Sequence, residues 1–163
     1  MLLLNDKVIK YFIWSAISIA LLLIIFIKQT VISIETSTNE YFLLEDTFTI
    51  SWIHSVEKEE WNEIYIINDE GTLTLTETYF KTFGAGVPVD GEIIPSNDGY
   101  VHMKIMRQMD SLTLVVSENV QTTLYSGDKK VPLYKLAEKD YEEINISVKS
   151  IHLWELLQKR RSL

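Results

Sequence analysis

Apolar and polar positions divide this chain into two unequal parts. Seventeen uncharged residues, Tyr11 to Ile27, lie between Lys10 and Lys28. At 1.5 Å per residue they predict about 25 Å of helix, the short end of a membrane span. Tyr11, Phe12 and Trp14 at one end and Phe26 at the other suit the headgroup zone. A cleaved secretory signal would share the basic start and apolar core, but Phe26 to Ile32 offers large and charged residues where cleavage needs small ones. A buried core helix would show a polar stripe, which this run lacks. The run therefore reads as an uncleaved anchor. Lys7 and Lys10 precede it, Lys28 closes it and the next basic residue is Lys58. The positive-inside bias, by a margin of one lysine, puts the N-terminus in the cytoplasm and the remainder outside the cell membrane.

Beyond residue 40 the period shortens to two. Phe48, Ile50, Trp52, His54 and Val56 share one face of a strand, with Thr49, Ser51 and Ser55 on the other beside Ile53. Glu63 to Ile67 and Thr72 to Phe80, joined by Asn68-Asp69-Glu70-Gly71, predict a β-hairpin. Ser111 to Val116, Val120 to Tyr125 and Val131 to Leu136, separated by short turns, predict a meander. Ile144, Ile146 and Val148 alternate once more, and from Ile151 onward Leu153, Trp154, Leu156 and Leu157 take helical spacing. One-sided strands must bury their apolar faces against one another, so the fold expected is mainly β. It is an N-terminal transmembrane helix followed by a compact antiparallel β-sandwich or barrel-like domain, with a short C-terminal amphipathic helix. The boundaries expected are a cytoplasmic tail over 1–10, the anchor over 11–27, a linker or first strand over 28–40 and an extracytoplasmic β domain over 41–163. The tail Gln158-Lys159-Arg160-Arg161 is basic beside an apolar face, which suits lipid headgroups or plain solvent.

Charge narrows the choice of partners. The chain holds 15 basic and 23 acidic residues, a net −8. Without Asp6, Lys7, Lys10 and Lys28 the outer part is near −10, which argues against nucleic acid and against adhesion to an anionic lipid surface. There is no cysteine, so disulfide scaffolds, thiol nucleophiles and Cys-based zinc sites are excluded.

Two segments carry candidate chemistry. His54-Ser55-Val56-Glu57, followed by Trp61 and Glu63, gathers an imidazole, a hydroxyl and carboxylates. Adjacent strand residues point to opposite faces, so His54 does not act as base to Ser55 unless the strand breaks between them. His54 with Glu57, Glu63 or Glu77 would suit a metal site of nitrogen and oxygen ligands or an acid–base pair, while a histidine beside Trp52 also fits a hydrogen-bonded core position. The second segment, Phe83-Gly84-Ala85-Gly86-Val87-Pro88, marks a tight bend or a close backbone approach. It lacks the Gly-Lys-Ser/Thr ending of a phosphate loop. His102 and His152 have no metal-motif spacing, and no cofactor is indicated.

Taken together, the anchor, Trp52-Ile53-His54-Ser55-Val56-Glu57 with Trp61 and Glu63, and Glu77-Thr78-Tyr79-Phe80-Lys81-Thr82-Phe83-Gly84-Ala85-Gly86-Val87-Pro88 resemble a small bacterial family of membrane-anchored domains of unknown function, number eighteen-fifty. The resemblance covers most of the outer domain. It implies a gene neighbourhood beside tripartite TRAP transporters of the TAXI type, hence an accessory role at the permease or its solute-binding protein. It brings no catalytic residues. Two readings follow: a non-catalytic interaction protein whose contact surface includes His54, Ser55, Glu57, Trp61, Glu63, Glu77, Phe83, Gly84, Gly86 and Pro88, or a metal-binding or hydrolytic domain built on His54 and the glutamates.

Overall fold

The computed structural model describes residues 6–158, apart from the side chains of Ala20, Leu21, Leu23, Ile24, Leu157 and Gln158. The basic residues Lys159, Arg160 and Arg161 of the tail lie outside the described residues. Residues 6–29 with 150–158 form one compact unit and residues 30–149 another.

In the smaller unit, helix α1 spans Asp6–Phe26. It contains neither proline nor glycine, and Asp6 in its first turn complements the helix dipole. Among the described residues no helix is long and apolar enough to cross a membrane, so the span expected over 11–27 forms a helix but is not found as a transmembrane one. A second helix, α2, covers only Leu153–Gln158, and its first N–H donates to the Ile27 carbonyl at 3.1 Å. The helical spacing expected from Ile151 therefore begins two residues late, because a strand runs through His152.

Eleven strands complete the described chain: β1 Lys28–Glu35, β2 Glu40–Leu43, β3 Thr47–Ile53, β4 Glu60–Ile67, β5 Leu73–Phe80, β6 Glu92–Ile94, β7 Val101–Met109, β8 Ser111–Val116, β9 Thr123–Ser126, β10 Lys129–Pro132 and β11 Glu142–His152. They form a four-stranded sheet, β2-β1-β11-β8, and a seven-stranded sheet, β10-β9-β3-β4-β5-β7-β6. The fold is mainly β, with two antiparallel sheets. Both contribute to one hydrophobic core: Ile32, Ile34, Val116, Ile144 and Ile146 from the smaller sheet meet Phe48, Ile50, Tyr65, Leu73 and Leu124 from the larger.

The β4–β5 hairpin forms as the turn chemistry predicts. Asn68 Oδ1 accepts from the N–H of Glu70 (3.1 Å) and of Thr72 (3.0 Å), and Gly71 closes the turn at φ +73°, which a side-chained residue rarely adopts. Elsewhere the pattern reads differently. Residues 28–40, expected as a linker or first strand, are mostly the strand β1, with Val31 to Ile34 fully buried. The predicted meander does not form: β8 pairs with β11 in the small sheet, whereas β9 pairs with β3 and β10 in the large one. Alternation reports which face of a strand is buried and not which sheet it joins. The segment between β8 and β9, with Gln121 at φ +51°, carries the chain across. The stretch expected to run from Val131 to Leu136 as a strand stops at Pro132, and a 3-10 turn, Leu133–Lys135, follows. β6 and β7 were not foreseen.

Three carboxylates show how the small sheet is tied together. Lys149 on β11 bridges Glu35 on β1 and Glu40 on β2, the latter at 2.7 Å, and Ser33 Oγ donates to the same Glu40 at 2.9 Å. At the start of the same strand Glu142, only 3% exposed, accepts from the N–H of Ser37 (2.8 Å) and of Glu138 (2.9 Å). It thereby satisfies loop donors that would otherwise be stranded.

Candidate functional site

The seven-stranded sheet places Trp61 at the centre of a stack of rings. β3 and β4 run antiparallel with Trp52 directly opposite Trp61, and the two rings lie 5.7 Å apart. Phe80, from β5, stacks on Trp61 at 4.6 Å, His54 at 5.5 Å, and Phe83 meets the edge of Phe80 at 5.4 Å. The indole N–H donates to Thr78 Oγ1 at 2.8 Å, and that hydroxyl donates on to the Asn62 carbonyl at 3.0 Å. The buried indole is thus satisfied, as a tryptophan in a core must be.

The strand expected to run through Val56 stops at Ile53. His54 to Glu59 form the hairpin loop, closed by His54 N–H to Glu59 O (2.8 Å) and Lys58 N–H to His54 O (3.0 Å), with Lys58 at φ +57°. The break frees Ser55 from the strand, yet no hydrogen bond joins it to His54 among the described residues; Ser55 is exposed. The loop instead turns Glu57 back onto His54, with its Oε2 against Nδ1. That carboxylate oxygen is buried and, apart from its close approach to the imidazole, finds no well-aligned hydrogen bond. Val56 N–H lies 3.4 Å from the same Nδ1, too long to compete with the carboxylate.

The glycine turn completes the arrangement. A Cβ on Gly84 would lie 1.9 Å from Glu57 Oε1 and 2.6 Å from its Cδ, so the carboxylate rests where any other residue would put its side chain. Thr82 Oγ1 donates to Glu59 at 2.9 Å, a second tie between the two loops. His54, Glu57, Trp61, Phe83 and Gly84 therefore converge. Gly86, exposed at φ +88°, and Pro88 shape the turn without entering the contact.

The void beside His54, lined also by Glu57, Trp61, Phe80, Lys81 and Thr82, has about 10 Å³, room for one water at most. No substrate fits there. A second cleft of about 260 Å³ lies on the other side of His54, against Trp52, Ser55, Leu114 and Val120, and is largely apolar. It is open, but His54 Nδ1 is already turned to Glu57.

Glu63 and Glu77 take different places. Glu63 lies opposite Ile50 and Thr78, on the same inward face as Trp61 and Tyr65, and accepts from Tyr65 OH at 2.5 Å. Burial raises its pKa, against the hydrogen bond from Tyr65 and the positive charge of Arg107, and the same burial pushes the Tyr65 hydroxyl far up. Glu77 is held by Tyr79 OH. Among the described residues no three His, Asp or Glu side chains gather as a metal-binding group. His102 contacts Asp98 (2.8 Å) and Ser96 (3.2 Å) through one nitrogen, Nε2, whereas a relay needs both. Asp98 is held at about 2, chiefly by the Ser96 hydroxyl.

Glu63 gives a prediction of definite sign. A carboxyl whose folded pKa is raised above the ordinary 4.5 leaves the fold fully stable below that pH and weakens it as pH rises through the folded value. Glu63→Gln keeps an acceptor for Tyr65 and removes the desolvated charge. It should melt higher than the wild type at pH 8, with the advantage vanishing below pH about 4. Parallel melting curves across that range would refute the assignment.

Sequence reading missed Thr78, Phe80, Glu59 and Thr82. None carries a spacing signal, because each enters through cross-strand register or loop contact. The fold and site together define a small two-sheet β domain whose ring-stacked core supports a locked pair of loops. The chain belongs to the family Domain of unknown function (DUF1850), which matches residues 48–133, a segment that includes both loops. Comparison with curated proteins and with solved structures finds no match.

Proposed function

We propose that the chain is a non-catalytic accessory protein, held at the cell membrane by α1 with its N-terminus inside, whose outer β domain contacts a TRAP transporter of the TAXI type through the His54–Glu57 and Phe83–Pro88 loops. The observation that carries this reading is the pairing of those loops: with the Glu57 carboxylate seated on Gly84, the void between it and His54 has room for one water at most, while Val56 (70% exposed) and Phe83 (64% exposed) stand out beside it. Apolar side chains on a rigid support suit a partner surface. The transporter itself is named from the family resemblance. For the anchor, support comes from Tyr11, Phe12, Trp14, Ile19, Leu22 and Phe26 on α1, apolar or aromatic side chains each more than half exposed. An apolar surface of that kind is covered by lipid or by another helix.

The test is crosslinking and gentle-detergent copurification of the full-length protein from its native membrane, with the partners identified by mass spectrometry. Wild type should enrich the permease or its solute-binding protein. Gly84→Val, which evicts Glu57 from its seat, should cut that recovery by about tenfold or more, in keeping with loss of an anchoring contact. The same recovery from folded His54→Ala and Gly84→Val variants would remove these loops from the interface, and a protein that emerges alone would defeat the accessory reading.

A further inference from the structure

One cleft combines size with a one-sided polar chemistry, and none of the residues His54 to Glu59 or Phe83 to Pro88 lines it. It has about 290 Å³ and is lined by Trp52, Glu60, Tyr125, Lys130, Tyr134 and Lys135, among others. That volume sits at the low end of small-ligand sites. Its walls come from the ends of β3 and β4 and from the β9–β10 hairpin with the 3-10 turn that follows.

The lining is rich in donors. Lys130 Nζ stands 5.6 Å from the centre of the Tyr125 ring and Lys135 Nζ 5.8 Å from that of Tyr134, so each ammonium is drawn to an aromatic face. Neither lysine has a carboxylate partner among the described ion pairs. The hydroxyls of Tyr125 and Tyr134 take part in no hydrogen bond among the described residues. The one acid present, Glu60, already accepts on both oxygens, from Ser51 Oγ at 2.9 Å and from Tyr100 OH at 3.3 Å. In a chain of net −8 this is a local excess of positive charge and of unused donors. Charges elsewhere on the molecule are screened beyond about 8 Å at physiological salt, so the field within the cleft is set by the two lysines against the single carboxylate of Glu60, a net positive balance.

We propose that this cleft binds a small oxyanion carrying two or more negative charges, with Lys130 and Lys135 holding its anionic groups and the tyrosine hydroxyls donating to it. Carboxylates and phosphates share that chemistry. The two tyrosine rings also line the cleft and give it apolar surface beside the two ammoniums.

The experiment is calorimetric titration of the full-length protein in mild detergent with citrate and, separately, with inorganic pyrophosphate. Saturable binding of at least one is expected. Replacing both lysines, Lys130→Met with Lys135→Met, should weaken it by about tenfold or more, since charge-assisted hydrogen bonds are the strong ones. Arginine at both positions should retain it, and Lys104→Met, which removes an exposed cation of β7 outside the cleft, should leave it unchanged. Tighter citrate binding would mark a carboxylate ligand and tighter pyrophosphate binding a phosphate one. No saturation by either anion, or equal weakening by Lys104→Met, would overturn the proposal. Both lysines are side chains at the surface of the fold, and the arginine pair keeps the test decisive if the methionine pair melts early.

Discussion

Trp61→Ala should cost the domain about 3–5 kcal/mol of stability, read as a fall in the urea midpoint at unchanged slope, because it removes a buried indole and leaves a cavity. Trp61 is 5% exposed and stacks against three rings, those of Trp52, His54 and Phe80, the last of which meets Phe83 edge-on. Against a typical total of about 5–15 kcal/mol, such a loss threatens the fold itself. Trp61→Phe separates the contributions. It keeps a ring in the stack but removes the donor to Thr78, whose hydroxyl still donates to Asn62 O. A loss of roughly 1–2 kcal/mol is expected for that variant, the sum of one hydrogen bond and partial packing. If the alanine variant lost less than about 1 kcal/mol, the ring stack would not be what supports the two loops.

Acid should weaken the fold through Glu142. Its carboxyl is held at about 2, first by the N–H of Ser37, then by that residue's hydroxyl and by the N–H groups of Glu138 and Lys139. In the unfolded chain it titrates near 4.5. A folded pKa below the unfolded one means that the folded state binds fewer protons in between, so the stabilisation is complete above pH 4.5 and is lost as pH falls toward 2. Glu142→Gln should therefore melt lower at pH 7, because the amide N–H₂ meets a backbone donor where the carboxylate accepted two. Its melting temperature should also change less between pH 5 and pH 3 than that of the wild type. Asp90 and Glu45 are lowered too, by Arg107 and by backbone and Lys129 contacts, and they remain in both proteins. The difference between the two curves isolates Glu142. A variant that keeps the full acid dependence would show that Ser37 and Glu138 find other acceptors.

The candidate site was legible in part. His54, Glu57, Trp61, Phe83 and Gly84 were singled out by residue type and turn chemistry, and they converge. Glu63 and Glu77 were singled out by the same reasoning and lie elsewhere, each bonded to a tyrosine two residues away. The difference is one of geometry: a carboxylate on a strand takes the face its register assigns, whereas one in a loop goes where the loop folds. The face of β3 was read correctly for Phe48, Ile50 and Trp52 and failed at His54, where the hairpin loop begins.

Taken by itself, the sequence determined the local quantities. These are the helix that opens the chain, the two-residue period of the strands, the Asn68–Gly71 turn, the excess of acid and the absence of cysteine, because each depends on residues within one element or on composition alone. Tertiary structure alone decided that β8 and β9 belong to different sheets, that the carboxylate of Glu57 rests on Gly84, and that Lys130 and Lys135 face one cleft across Tyr125 and Tyr134. Those facts join residues far apart in the chain. They follow from which sheets share a core, and the free energy that selects among sheet pairings belongs to the whole domain and to no single segment of it.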